Sequence, residues 1–211
     1  MSVTIKLIVS CILAYLLGSV SGGIIFSKIG HGPDLHTVGS KSTGASNVQR
    51  TMGWKYGLMT FFFDAGKGLL ACWLARLITG TAYDSPLCNF ASLLAGLFCV
   101  IGHNWPVFFR FHGGKGVATT GAVILYCFPV WALISIALTI AVIAVFRYIS
   151  VGSMLMVTSF AVFSVFYAGG NPCIILWAVI LAVMCIGRHH ANINRLFHGT
   201  ENKLGHKVKT N

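Results

Sequence analysis

Long apolar runs, separated by short polar breaks, occupy most of the chain: they fall near 5–27, 54–79, 87–102, 117–128, 131–146, 152–168 and 173–187. A helix needs roughly 20 apolar residues to cross the hydrocarbon core of a bilayer, and its internal hydrogen bonds satisfy the backbone where there is no water. The pattern predicts an all-α fold, a polytopic integral membrane helix bundle of about seven spans. It is read as a single domain over 1–211 with a short basic tail at 202–211. Pro129 and the Gly169-Gly170-Asn171-Pro172 break divide the second half into four spans. Were neither a true break, two long helices would replace those four. The first run follows Lys6 and ends at Gly22-Gly23 without a clear small-residue cleavage site, so it reads as a retained span rather than a signal peptide.

Basic residues then set the orientation. Lys28, Lys41, Arg50, Lys55, Arg110, Lys115, Arg147, Arg188, Arg195, Lys203, Lys207 and Lys209 share one face of this map, whereas Lys6 and Arg76 lie towards the other. The positive-inside rule makes the first face cytoplasmic, with the amino terminus outside and the carboxy terminus inside. All eight histidines fall on the same side. So do three polar segments, Lys28 to Arg50, Gly102 to Gly116 and Arg188 to Glu201, which are therefore expected to meet at one membrane face.

Composition sharpens this picture in four ways. Hydrophobic residues make up 56% of the 211 and charged residues only 9%, with a mean hydropathy of +0.80, which excludes an ordinary soluble domain. The four carboxylates, Asp34, Asp64, Asp84 and Glu201, are too few for chemistry built on clustered metal-binding aspartates, so no metal site is expected. The seven cysteines fall in or at the ends of apolar runs with no Cys-x-x-Cys pair, and read as small buried residues. A net charge of +11 fits the topology rule and attraction to anionic lipid headgroups; nucleic-acid binding is not indicated. Basic residues interleaved with glycines and asparagines exceed what topology needs and suit a small anionic substrate.

The densest polar stretch is Gly102 to Gly121, GHNWPVFFRFHGGKGVATTG. Pro106 interrupts any helix arriving from the preceding run, so a loop begins there. Gly113, Gly114, Lys115 and Gly116 supply unhindered amides and a cation just ahead of a helix-like run, Val117 to Cys127, whose amino end is partly positive. Such a turn suits phosphate. It also fits a plain tight connection between two spans. It is not a Walker loop, because Lys115 is followed by Gly116 rather than Ser or Thr.

The first polar segment, Gly39 to Arg50, concentrates Ser40, Ser42, Thr43, Ser46, Asn47 and Arg50 before a span. A capped helix start explains one such residue, and an anion site explains the group. The third, Arg188-His189-His190-Ala191-Asn192-Ile193-Asn194-Arg195 followed by Gly199-Thr200-Glu201, brings His189, Asn192 and Arg195 to one helical face at spacings of three. A histidine, an amide and a guanidinium can position a phosphate and handle a proton. A juxtamembrane basic helix that fixes topology is the plainer alternative.

Taken in order, these motifs resemble the PlsY family of bacterial membrane acyltransferases, which acylate glycerol 3-phosphate from acyl phosphate. The likeness covers nearly the whole chain: Gly18-Ser19 and Gly22-Gly23 in the first span, the Gly39-Ser40 to Arg50 loop, Asp64, Lys67 and Gly68 in the second span, the Gly102-His103 to Gly116 loop, and the closing Arg188 to Glu201 segment. Three positions depart from it. Lys41-Ser42 stand where the family usually has Gly-Asn, and His36 where it often has arginine. Ser46 replaces a threonine conservatively.

The resemblance implies a catalytic cluster of Ser40, Asn47, Arg50, His189 and Asn192. It implies phosphate-binding roles for Lys67, His103, Gly113, Gly114, Lys115, Gly116 and Arg195, with Asp64 and Glu201 as structural partners of cations. It implies no cofactor. Glycerol 3-phosphate, acyl phosphate and membrane lipids are the expected partners, in a bacterial inner membrane with the site facing the cytoplasm. The implied product is lysophosphatidic acid, at the first step of phospholipid synthesis. Either His189 or the substrate's own phosphate serves as base. The chain lacks the His followed five residues later by Asp of other glycerolipid acyltransferases. A small-anion transporter is the rival reading, but the spans carry too few polar groups to line a route across. A structural membrane protein does not call for such Gly, Asn and His loops.

Overall fold

Ser2 accepts a hydrogen bond from the Ile5 amide (3.4 Å) and starts the first helix, α1 (Val3–Ser19). The structure is a computed structural model that describes residues 1–80 and 86–205, without the side chains of 86–88. At Val20 the backbone turns extended and Ser21 caps a new helix, α2 (Gly22–Ile29), so the apolar stretch of 27 residues from Val3 to Ile29 is broken near its polar end. A loop leads to α3 (Ala45–Met52), and Gly53 at φ +91° hands over to α4 (Trp54–Thr79), which ends on left-handed Gly80. Next come α5 (Pro86–Asn104), a short 3₁₀ turn (Val107–Phe109) and α6 (Val117–Cys127). The helix thus stops two residues ahead of Pro106, as the proline predicts.

These elements make one compact unit, residues 1–127. Lys6 Nζ donates to Thr79 O (3.0 Å) at one end and Lys67 Nζ to Gly18 O (2.9 Å) towards the other, which sets α1 and α4 antiparallel. Ala14, Ala71, Ala75, Ala91, Ala95 and Cys99 fill the contact among α1, α4 and α5. Small residues four apart on α4 (71, 75) and α5 (91, 95, 99) let the helix backbones approach, which is how helices associate where lipid tails are as apolar as leucine. Gly18 lies against the Cys99 carbonyl and Gly102 against that of Tyr15, positions where a Cβ would meet backbone. Large side chains such as Ile8, Phe62, Trp73 and Leu77 point outward, as a lipid-facing surface requires.

A second unit covers residues 128–205. Pro129 opens α7 (Pro129–Phe146), left-handed Arg147 ends it, and α8 (Ile149–Tyr167) follows. Asn171 accepts from the Cys173 amide (3.0 Å) to cap α9 (Pro172–Arg188). His189 joins α9 to α10 (His190–Phe197) across a bend of 59°. Phe128, Phe160, Tyr167 and Trp177 form one aromatic cluster, with ring centroids as close as 4.6 Å for Phe128 and Tyr167.

All regular structure among the described residues is helical, and each predicted run holds a helix. The breaks at Pro129 and 169–172 are both present, so four helices rather than two occupy the second half. Among the described residues, five helices are long and apolar enough to cross a membrane, or six if α9 and α10 count as one bent span, rather than about seven. The difference comes from the 117–128 run: α6 has 11 residues, about 16 Å at 1.5 Å per residue, well short of a 30 Å core. Cys72, Cys99 and Cys185 are buried as expected, Cys173 is exposed at the start of α9, and Cys88 lies outside the described side chains.

Candidate active site

The first loop is organised from within by Asn47. Its side-chain oxygen accepts from the Ser40 amide (2.9 Å), while its NH₂ donates to the carbonyls of Ser42 (2.9 Å), Val38 (3.2 Å) and Leu35 (3.4 Å). At 1% exposure this amide is committed to the loop backbone. The sequence grouped Asn47 with the catalytic residues; the structure gives it the work of holding Ser40, half-buried at the loop's edge. Arg50 is buried one turn further along α3. Gly39 sits at φ +60°, and a Cβ there would also run into Asn47 Oδ1.

Lys41 also sits at positive φ (+53°). This is where the family resemblance expects glycine, and a side chain in the left-handed region costs about 1 kcal/mol or somewhat more. Lys41→Gly is therefore expected to raise stability by about 0.5 kcal/mol after glycine's larger entropy loss is subtracted. A slightly higher melting temperature with unchanged turnover is the result to look for.

The glycine loop folds back on the end of α5. Phe111 N and Phe109 N both donate to Pro106 O (2.9 and 3.2 Å), and Gly114 N donates to His103 O (3.1 Å). Gly113 rests on the His103 carbonyl and Gly114 on the His103 ring, each too close for a Cβ. Gly116, at φ +75°, leads into α6 beside Asn104, which is fully buried with both side-chain amide atoms unpartnered. Sequence reasoning missed Asn104, although its place between His103 and Pro106 was a signal. Lys115 is half-buried on the same turn.

Beneath both loops lies a buried charge cluster. Asp64 Oδ1 is 3.0 Å from Lys67 Nζ and 3.6 Å from His103 Nδ1. Lys67 Nζ also donates to Gly18 O (2.9 Å) and Val20 O (2.8 Å). Its three ammonium protons thus face three protein acceptors, the position of a strut rather than of the phosphate ligand the sequence suggested.

In the second unit, His189 Nδ1 lies 2.7 Å from Cys185 O. A carbonyl only accepts, so Nδ1 carries the proton and, in the neutral ring, Nε2 is the basic nitrogen. Asn192 and Arg195 follow on α10. Asn192 Nδ2 donates to Glu201 Oε1 (2.7 Å), Ser150 Oγ to the same oxygen (2.9 Å), and Arg195 Nε to Oε2 (2.7 Å). Burial alone would push the Glu201 carboxyl up, but hydrogen bonds from Asn192, Ser150 and Arg195, together with the guanidinium charge, hold it below the usual carboxylate range. Arg195 Nη2 is buried and unpartnered. Ser150 carried no signal in the sequence, since only the fold brings α8 to Glu201. The five residues assigned to catalysis thus divide between the units, Ser40, Asn47 and Arg50 in the first and His189 and Asn192 in the second.

Comparison with known proteins agrees on one family. Residues 8–199 match the family described as glycerol-3-phosphate acyltransferase. A glycerol-3-phosphate acyltransferase of Finegoldia magna is 39% identical over 199 residues, covering 94% of this chain and 96% of the relative. One from Burkholderia multivorans is 40% identical over 206 residues, covering 97% and 93%. Among solved structures, PlsY, an integral membrane glycerol 3-phosphate acyltransferase, superposes in its glycerol 3-phosphate form with a TM-score of 0.83 at 38% identity, covering 94% of this chain and 96% of that one. Its lysophosphatidic acid form gives 0.80 at 36%. With its apolar spanning helices, glycine loop and Asn192–Glu201 network, the chain belongs to the glycerol-3-phosphate acyltransferase (PlsY) family of integral membrane acyltransferases.

Proposed function

We propose that this protein transfers an acyl chain from acyl phosphate to the 1-hydroxyl of glycerol 3-phosphate, giving lysophosphatidic acid and inorganic phosphate, the entry step of bacterial phospholipid synthesis. The observation that carries the reading is the glycine loop laid on His103 at the amino end of α6, a preorganised setting for a phosphate that already contains Lys115. Acyl phosphate is a mixed anhydride with an activated carbonyl. The glycerol oxygen bonds to the carbonyl carbon, the bond from that carbon to the bridging phosphate oxygen breaks, and phosphate leaves with its electron pair. No covalent acyl-enzyme is required, which agrees with the absence of the His and Asp pair of other glycerolipid acyltransferases.

The residues divide the work accordingly. Gly113, Gly114, Lys115 and Gly116 hold a substrate phosphate; Ser40 and Arg50 orient the polar end of a substrate; Asn47 holds Ser40 in place. The hydroxyl proton passes to a base, for which His189 Nε2 and the phosphate of glycerol 3-phosphate itself both qualify. Asn192 belongs to the catalytic residues that the family resemblance implies, and a donor to the developing oxyanion is worth about 3 kcal/mol. The polar loops face the cytoplasm of a bacterial inner membrane, with the amino terminus outside, as the basic residues direct.

Purified protein in detergent is expected to form lysophosphatidic acid and phosphate from palmitoyl phosphate and glycerol 3-phosphate. Acyl-CoA and acyl carrier protein donors, run in parallel, are expected to give no product. Product from either of those instead would overturn the donor assignment. Absence of product from every donor, in folded monodisperse protein, would return the small-anion transporter to first place.

A further inference from the structure

Asp64 and Lys67 are buried at 1% and 3% exposure inside α4, where a charge at the membrane's centre costs about 3 kcal/mol. An ion pair of this kind is weak support for stability, since apolar residues of similar volume often serve as well. Its contacts say what else it does. Lys67 binds the carbonyls of Gly18 and Val20, the last acceptors of α1. The Asp64 carboxylate accepts from Gly22 N (3.4 Å), the first amide of α2. One ion pair therefore compensates both helix ends exposed at the break near Val20, a cation at the carboxy end and an anion at the amino end.

The same carboxylate stands one residue removed from both loops. Gly23, next to the amide it accepts, lies against the carbonyl of Thr43 in the first loop. On its other side Oδ1 faces His103 Nδ1 at 3.6 Å, and the His103 ring and carbonyl carry Gly114 and Gly113. The Asp64 backbone carbonyl accepts from Thr119 Oγ1 (2.9 Å) in the first turn of α6.

The geometry points to Asp64, braced by Lys67, as a positioning residue that sets the spacing between the Ser40–Arg50 loop and the glycine loop, and so governs binding of glycerol 3-phosphate without touching it. This rests on the proposed function and takes the phosphate held by the loops to be that of glycerol 3-phosphate rather than of the acyl donor. A misplacement of about an ångström is enough to cost two orders of magnitude in rate, and a smaller loss is expected in ground-state binding.

Binding of radiolabelled glycerol 3-phosphate to purified protein in detergent, with no acyl donor present, tests both levels separately. Wild-type protein that fails to bind it overturns the substrate reading and the brace with it. The double variant Asp64→Leu/Lys67→Met removes both charges together. It is expected to fold with a lowered melting temperature, because the Gly18 and Val20 carbonyls and the Gly22 amide lose their partners, and to bind about tenfold more weakly or worse. Asp64→Glu keeps both charges but lengthens the arm, and it decides the matter if the double variant does not fold. It is expected to weaken binding several-fold (about three- to tenfold) while KM for the acyl donor stays unchanged. Wild-type affinity in folded Asp64→Glu protein, or in the folded double variant, would reduce the pair to an element of stability and overturn the proposal.

Discussion

Gly113→Ala is expected to lower kcat/KM for glycerol 3-phosphate by about 100-fold or more, in protein that still folds. A Cβ at this position runs into the His103 carbonyl and comes within 2.5 Å of Pro106 Cδ and 2.9 Å of Asn104 O. None of these can swing away as a flexible side chain can: two are backbone atoms and the third is a locked ring. The loop has to lift off the end of α5, and Gly114 N then loses its bond to His103 O. Lys115 moves with it. The helix contacts that hold the unit together lie elsewhere, among Ala71, Ala75, Ala91 and Ala95, so the damage stays local. Gly66→Ala provides the control, because a Cβ there meets nothing within 4 Å, and alanine within an exposed helical turn is expected to be neutral or slightly stabilising. Wild-type turnover in folded Gly113→Ala protein would mean that the loop works in some other conformation.

Much of this was legible in the chain itself because membrane helices advertise themselves. Apolar runs located α1 and α4 to α9, while the eight-residue α3 and α10 lie in polar segments, and prolines located α5's end and the start of α7. The spacing of three between Asp64 and Lys67 put them on one helical face, and they form an ion pair at 3.0 Å. Glycines marked the loop that lies on His103. What the sequence could not carry was whatever depends on length in space or on distant partners. The run at 117–128 looked like a span but yields a short helix. The break at Val20 has no proline; it exists because Ser21 caps α2 and Lys67, 47 positions away, takes the Val20 carbonyl. Asn47 looked like a reacting group because asparagine in a polar loop offers both donor and acceptor, yet its buried amide is used up on Ser40, Ser42, Val38 and Leu35. The exchange of glycine for Lys41 was visible from the start, and only the backbone angle gave it a physical meaning.

Glu201→Gln is expected to destabilise the second unit by about 1–3 kcal/mol at neutral pH, the range for leaving a buried donor unsatisfied. Ser150, Asn192 and Arg195 all donate to this carboxylate at 2.7–2.9 Å. Glutamine keeps one acceptor oxygen but turns an NH₂ towards the Arg195 Nε or towards Asn192 and Ser150, donor against donor. The Arg195 side chain is 28% exposed, so water screens part of the ionic component and the figure belongs towards the lower end of that range. The pH dependence separates charge from shape. Burial would raise the Glu201 carboxyl, but its three donors hold it below its unfolded value, which for a glutamate is about 4.3. The carboxylate's stabilisation is therefore complete above about pH 4.3 and declines as pH falls through the folded-state pKa, because the unfolded chain binds the proton first. Thermal unfolding of wild type and Glu201→Gln across that window should show two curves well apart at neutral pH that converge in acid. Parallel curves would assign the effect to packing alone. Because Asn192 leans on the same carboxylate oxygen, kcat is expected to fall in the variant at neutral pH even well below its melting temperature. That loss is what distinguishes a network that holds a reacting group from one that merely pins α10 to α8.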